Sequence, residues 1–169
     1  MAINVLTPME TRYRGLLFRS RIEARWALFY NKIGVPYQYE AEGYDLNGTR
    51  YLPDFWMPRQ NCFIEIKGAE PTLEEQCKAA LLAQLSKKQV FIFGSLPGIA
   101  TYGLMGGSGE EWQPLTFFPE GAGDTGYLWC RKNFTDDYCI IKSTQIVPDY
   151  NSATDKLVYA YNAARSARF

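Results

Sequence analysis

The chain has 169 residues, of which 47% are hydrophobic and 15% aromatic, enough to bury a substantial core within one domain. Its 18 basic and 18 acidic residues cancel, so bulk charge draws it to no polyanion and any such attraction has to come from a local patch. The absence of histidine excludes a histidine-based triad and a Cys2His2 site, and the four cysteines, Cys62, Cys77, Cys130 and Cys139, show no CxxC spacing, so zinc is not expected.

Residues 1–11 read as an arm or a first strand. Thr7, Pro8, Glu10 and Arg12 break any signal-peptide pattern there, and no run is apolar for long enough to span a bilayer, so a cytoplasmic, membrane-free protein is expected. Ser20-x-x-Glu23 is a capping-box signature that predicts a helix over 21–33, stopped by Gly34 and kept from resuming by Pro36. Ile22, Trp26, Phe29 and Ile33 recur at helical spacing as its buried stripe, with Glu23 at the edge and Arg21, Arg25 and Lys32 on the far side. Residues 37–42 alternate as a strand with Glu40 and Glu42 outward, and Asn47-Gly48 marks a turn within 45–50.

Next come two short runs rich in aromatic and β-branched residues, 51–56 and 62–67, which flank a polar turn over Pro58, Arg59, Gln60 and Asn61 and predict a hairpin. Thr72-x-x-Glu75 opens a helix over 73–87 with Leu81, Leu82 and Leu85 inward, and residues 90–93 form a buried strand. Glycine, proline and aromatic residues then dominate 95–146, predicting a β-meander or loop layer. Trp112, Phe117, Trp129 and Tyr138 there either pack internally or offer a stacking surface for bases; no GxxxxGK[ST] phosphate loop is present. A last helix over 151–168, capped by Asn151 or Ser152, runs through Leu157, Tyr161 and Ala164 to Arg165 and Arg168.

The chemistry concentrates in the hairpin. Residues two apart on a strand share a face, so Glu65 and Lys67 project together, and Asp54 on the neighbouring strand stands beside them. Two close carboxylates repel, and a hard divalent cation with oxygen ligands relieves that repulsion. A lysine alongside orients or helps deprotonate a metal-bound water and stabilises charge growing on a phosphate. The plainer alternative is a half-buried strand whose outer face carries a solvated Glu-Lys pair, with Asp54 a turn residue after Pro53.

Pro53-Asp54 followed eleven positions on by Glu65-Ile66-Lys67 resembles the PD-(D/E)XK nuclease signature. The stretch from Arg19 to Phe93, with SRIEARWALFYNKIGVPYQYE, YLPDFW and FIEIKG, is similar to small nuclease-like proteins of phages and mobile elements. The resemblance implies an α/β, restriction-endonuclease-like core over about 12–94, with a mixed central sheet flanked by helices and the Gly/aromatic-rich region and C-terminal helix added to a single domain. It implies a Mg²⁺-dependent nuclease acting on phosphodiester bonds, DNA foremost, with Mn²⁺ able to substitute, working in the host cytoplasm if phage-encoded. Asp54, Glu65 and the Ile66 carbonyl would hold the metal, Lys67 would position the attacking hydroxide, and Glu23 would complete the shell or serve only as the helix cap. Arg19, Arg21, Arg25, Lys78, Arg165 and Arg168 are the candidate nucleic-acid contacts, with Gln76 a further candidate near the site. A homodimer stays open. The alternative is a catalytically silent nucleic-acid-binding or assembly module on the same fold.

Overall fold

Ser20 and Gly34 set the limits of the first helix, α1 (Arg21–Ile33), as the sequence predicts. Ser20 Oγ accepts the Glu23 amide at 3.3 Å, and Gly34, left-handed at φ 72°, ends the helix by donating to the last-turn carbonyls. This computed structural model describes residues 8–96, 98–100, 103–105, 114–132, 135–142, 150–151 and 154–169. Ahead of α1, strands β1 (Thr11–Tyr13) and β2 (Leu16–Phe18) form a small hairpin; residues 1–7 of the predicted arm lie outside the described residues.

After α1 come β3 (Gln38–Tyr39), the hairpin β4 (Tyr44–Leu46) and β5 (Thr49–Tyr51), then β6 (Phe55–Met57), β7 (Cys62–Ile66), α2 (Leu73–Ser86) and β8 (Gln89–Phe93). The remainder is β9 (Gly98–Ala100), β10 (Gly103–Met105), β11 (Leu115–Phe117), β12 (Gly123–Thr125), β13 (Tyr127–Lys132), β14 (Tyr138–Lys142), β15 (Tyr150–Asn151) and α3 (Asp155–Ser166). The central sheet has six strands in the order β12-β11-β8-β7-β6-β3. β7 and β8 run parallel because α2 carries the chain back between them, and the other neighbours are antiparallel. The fold is therefore mixed α/β, with three helices among the described residues.

Alternation along the central strands sorts the core into two layers. Ile64, Ile66, Phe91 and Phe93 face the cluster holding Trp26, Phe29, Tyr30 and Tyr161 of α1 and α3, while Phe63, Val90 and Ile92 face Ala79, Leu82 and Ala83 of α2. On the first side Phe29 stacks on Tyr161 at 4.3 Å, and Trp26 donates its indole N–H to the Gly94 carbonyl at 2.7 Å. The buried indole thus has the partner that its burial demands.

Several expectations need correction. The strand predicted over 37–42 is only two residues long, because Glu40 turns to φ 45°, outside the strand region. Leu85 is 50% exposed rather than inward, since the small Ala79 and Ala83 beside Leu82 form the contact face of α2. Thr154, not Asn151 or Ser152, caps α3: its Oγ1 accepts the Leu157 amide at 3.4 Å. Ser152 lies outside the described residues. β11 pairs directly with β8, so part of the Gly/aromatic-rich region extends the central sheet, and the pair β13–β14 buries Trp129 and Tyr138 in the core. Trp112 lies outside the described residues.

Phe29 is fully buried between the two helices. Phe29→Ala is expected to lower unfolding free energy by roughly 3–5 kcal/mol, read from urea unfolding curves; a loss under about 1 kcal/mol would mean that the aromatic layer does not hold α1 and α3 in place.

Candidate active site

The register of β6 on β7 pairs Phe55 with Ile64, which sets Asp54 opposite Glu65 one step beyond the paired residues. The Asp54 amide donates to Glu65 Oε2 at 3.3 Å, and the Ile66 amide donates to Asp54 Oδ2 at 2.7 Å. Each carboxylate is thereby tied to the other's strand. Asp54, Glu65 and Glu23 are only 2%, 5% and 6% exposed, so three acids are withdrawn from water around one place.

Each of the two strand carboxylates carries its own cation. Arg19 Nη2 donates to Asp54 Oδ1 at 2.7 Å while its Nε pairs with Glu40. Lys67 Nζ lies 3.0 Å from Glu65 Oε1 and 3.0 Å from Glu75 Oε1. Glu40 is therefore half-buried and ion-paired, not the simple outward strand residue expected.

Glu23 faces inward from the start of α1. Its Oε1 accepts the Ser20 hydroxyl at 2.6 Å and its Oε2 accepts the Tyr39 hydroxyl at 2.6 Å, while Tyr39 in turn accepts the Arg19 amide at 3.0 Å. The predicted capping box is formed in one direction only: Ser20 caps the helix, and the glutamate accepts the Ser20 and Tyr39 hydroxyls in place of the Ser20 amide. The Thr72–Glu75 box is complete in both directions, and Glu75 also holds Lys67.

The electrostatics follow from this crowding. Burial, and then repulsion from Glu65 and Glu23, hold the Asp54 carboxyl well above its ordinary range despite the Ile66 amide and Arg19. Burial alone would lower the Lys67 ammonium, but Glu65 and Glu75 outweigh it, so Lys67 stays protonated more firmly than a free lysine. Lys67 is accordingly built to present positive charge and hydrogen-bond donors, and, fully protonated at neutral pH, it has no free lone pair with which to act as a base. Burial and then Glu65 raise the Tyr51 hydroxyl, and burial and then Glu23 raise that of Tyr39. Both phenols therefore keep their protons, and Tyr39 donates to Glu23.

These groups open onto a cavity of about 840 Å³, lined by the start of α1 from Arg19 to Glu23, by Asp54, and by the end of β7 from Glu65 to Ala69. The cavity sits at the carboxyl end of a parallel strand, where open α/β sheets bind their ligands. Among the described residues no group of three or more Asp, Glu, His or Cys side chains is arranged to hold a metal ion. What the site offers is a buried carboxylate pair in mutual repulsion beside open space. That donor set suits a hard cation such as Mg²⁺, which is commonly held by one or two carboxylates and retains several waters.

Of the other basic candidates, Arg21 lines the cavity and its Nη2 contacts the Met9 sulfur at 2.9 Å. Arg25 instead donates to the Ala167 carbonyl at 3.3 Å, and Lys78 pairs with Glu74 at 2.6 Å on the surface of α2. Gln76 donates to the Pro71 carbonyl at 3.0 Å. Arg165 sits in the last turn of α3 and Arg168 is exposed just beyond it. Sequence reasoning missed Tyr39 and Tyr51 beside the acids and Glu40 and Glu75 as partners of Arg19 and Lys67; the Thr72–Glu75 capping box was visible, but its link to Lys67 was not.

Comparison of the chain with protein-family models, curated proteins and solved structures gives no match. No helix among the described residues is long and apolar enough to cross a membrane.

A carboxyl raised in the folded state binds its proton more tightly there than in the unfolded chain. Its contribution to stability is present below the ordinary aspartate range and is lost as pH rises through the raised value. In EDTA, Asp54→Asn should therefore gain stability relative to wild type as pH rises from about 4 to about 8. Parallel urea titrations measure the gap; one that stays flat, or widens in favour of wild type, contradicts a raised Asp54.

Proposed function

We propose that the protein is a divalent-metal-dependent nuclease that hydrolyses phosphodiester bonds, with DNA as its substrate, on a PD-(D/E)XK-type core. The observation that carries this reading is the buried Asp54–Glu65 pair facing the cavity with Lys67 at its side. Asp54 and Glu65 would hold Mg²⁺ or Mn²⁺ with the Ile66 carbonyl, and the metal supplies Lewis-acid activation of water and of the phosphate oxygens. Lys67, kept as an ammonium by Glu65 and Glu75, stabilises negative charge developing on the phosphoryl group. Glu23, oriented by Ser20 and Tyr39 and lining the same cavity, adds negative charge beside the pair and would complete the metal's shell or act on it through space. Arg19, with about half of its side chain exposed at the cavity mouth, and Arg21 beside it are the groups placed to meet a phosphate backbone.

A second reading is a silent nucleic-acid-binding or assembly module. The Arg19–Asp54 pair favours it, because a guanidinium bonded to the aspartate competes for the position that a cation would take.

Plasmid nicking with Mg²⁺, Mn²⁺ or EDTA separates the two readings. Cleavage should require the metal, and Asp54→Asn or Glu65→Gln should each reduce it by at least about 100-fold, the scale lost when one electrostatic stabiliser is removed. Wild-type rates in both variants would place the chemistry elsewhere, and DNA binding with no nicking in any metal would favour the silent module.

Glu23 and Ser20 separate charge from capping. Glu23→Gln keeps the shape and one acceptor oxygen, sets its NH2 against the other hydroxyl, which can turn to accept, and removes a charge near Asp54, so cleavage should fall and recover in part at high Mg²⁺, with only a small change in melting temperature. Ser20→Ala should cost about 1 kcal/mol of stability through the lost cap. Full activity of Glu23→Gln at low Mg²⁺ would reduce the glutamate to a structural partner of Tyr39.

A further inference from the structure

The hairpin of β13 and β14 sets two thiols directly opposite each other, away from the carboxylate site. Its register pairs Cys130 with Cys139, and both are free. The Lys132 amide donates to the Asp137 carbonyl at 3.0 Å, which makes that pair a hydrogen-bonded one. Because such pairs alternate along an antiparallel ladder, Cys130–Cys139 is hydrogen-bonded too, with a Cα separation of about 5.5 Å. A disulfide spans Cα separations of roughly 4.4–6.8 Å and is commonest near that value. Directly opposed residues also send their side chains to the same face of the sheet. The other two thiols are placed differently: Cys62 is buried in β7 of the central sheet, and Cys77 is exposed on α2.

We propose that Cys130 and Cys139 are a modification site, a thiol pair that closes reversibly into a cross-strand disulfide when the protein meets a low-molecular-weight disulfide such as oxidised glutathione. Cys139 is only half-buried and is the sulfur a reagent can reach, whereas Cys130 is 3% exposed. The Cys139 thiolate attacks one sulfur of the reagent, forming a mixed disulfide and expelling one reagent thiolate. The Cys130 thiolate then attacks Cys139 Sγ, the protein S–S bond forms, and the second reagent thiolate leaves. Two protons pass from the protein thiols to the two reagent thiolates, and two electrons reduce the reagent. Burial pushes the Cys130 thiol up to about 12, and burial with Asp137 raises that of Cys139, so both start as thiols at neutral pH and closure is slow.

The bond would staple a hairpin that matters to the core. Trp129 and Tyr138, beside the two cysteines, are buried, and the Tyr138 carbonyl accepts Gln60 Nε2 at 2.9 Å from the turn between β6 and β7. Those are the strands on which the carboxylate pair depends.

The test treats the full chain carrying Cys77→Ser, which removes the exposed competing thiol, with oxidised glutathione and maps the products by peptide mass spectrometry without reduction. The expected product is lighter than the starting protein by two hydrogen atoms, with the peptide ending at Arg131 joined to the peptide that carries Cys139. Its melting temperature should rise by about 5–10 °C, reversed by a thiol reductant. Cys139→Ser should show neither change, and the peptide map of the parent stands on its own if that variant fails to fold. A glutathione adduct that persists on Cys139, a bond involving Cys62, or no mass change after prolonged treatment would overturn the proposal.

Discussion

Two like charges buried against each other at the ends of adjacent strands are the constraint that the middle of this molecule answers. Asp54 and Glu65 gain nothing from facing each other out of water, and near a protein surface two such charges about 4 Å apart repel by about 4 kcal/mol. The chain meets this cost locally. The Ile66 and Asp54 amides bond the two carboxylates across the strands, Arg19 neutralises one and Lys67 the other. Buried acids of this kind are where structures depart from their own stability optimum, and such departures cluster at functional sites.

The compensation works only if α1 stands where it does, and the aromatic layer sees to that. Trp26 and Phe29 lock the helix to β8 and α3, Tyr30 packs on Phe55 and Trp129, and the Trp26 bond to Gly94 ties the helix to the end of the strand beside β7. With the helix fixed, its first turn delivers Glu23 to Tyr39 and leaves Arg19 facing Asp54. Rigid packing on one side of the sheet thus sets the position of charges at its end, with errors of a fraction of an ångström.

What was legible in the sequence followed short-range rules. The limits of α1, the complete box at Thr72 and Glu75, the turn ending at Asn61 and the pairing of Asp54 with Glu65 each depend on residues a few positions apart or on strand alternation. The strand at 37–42 failed because one residue, Glu40, takes a left-handed conformation that its side chain does not announce. Leu82 does mark the inner face of α2, but Leu85 misled because the small Ala79 and Ala83 complete that face and leave Leu85 on the outer side. Arg19 was legible only as a basic residue; its bond to an aspartate thirty-five positions away is tertiary.

Charge balance at the cavity bears on how a chain with no net charge would meet a polyanion. Glu23, Asp54 and Glu65 inside, with Glu40 and Glu75 at the edge, outnumber Arg19, Arg21 and Lys67. On its own residues the cavity is therefore no attractive place for a phosphate. Under the proposed function, a divalent cation between Asp54 and Glu65 would cancel that excess in one step, and it would do so by displacing the guanidinium already bonded to Asp54. A displaced Arg19 would keep its backbone bond to Tyr39, its Nε pair with Glu40 and its place at the mouth, with its terminal N–H donors released toward a phosphate. Metal and nucleic acid would then bind cooperatively, because the group that the first displaces is one that the second needs.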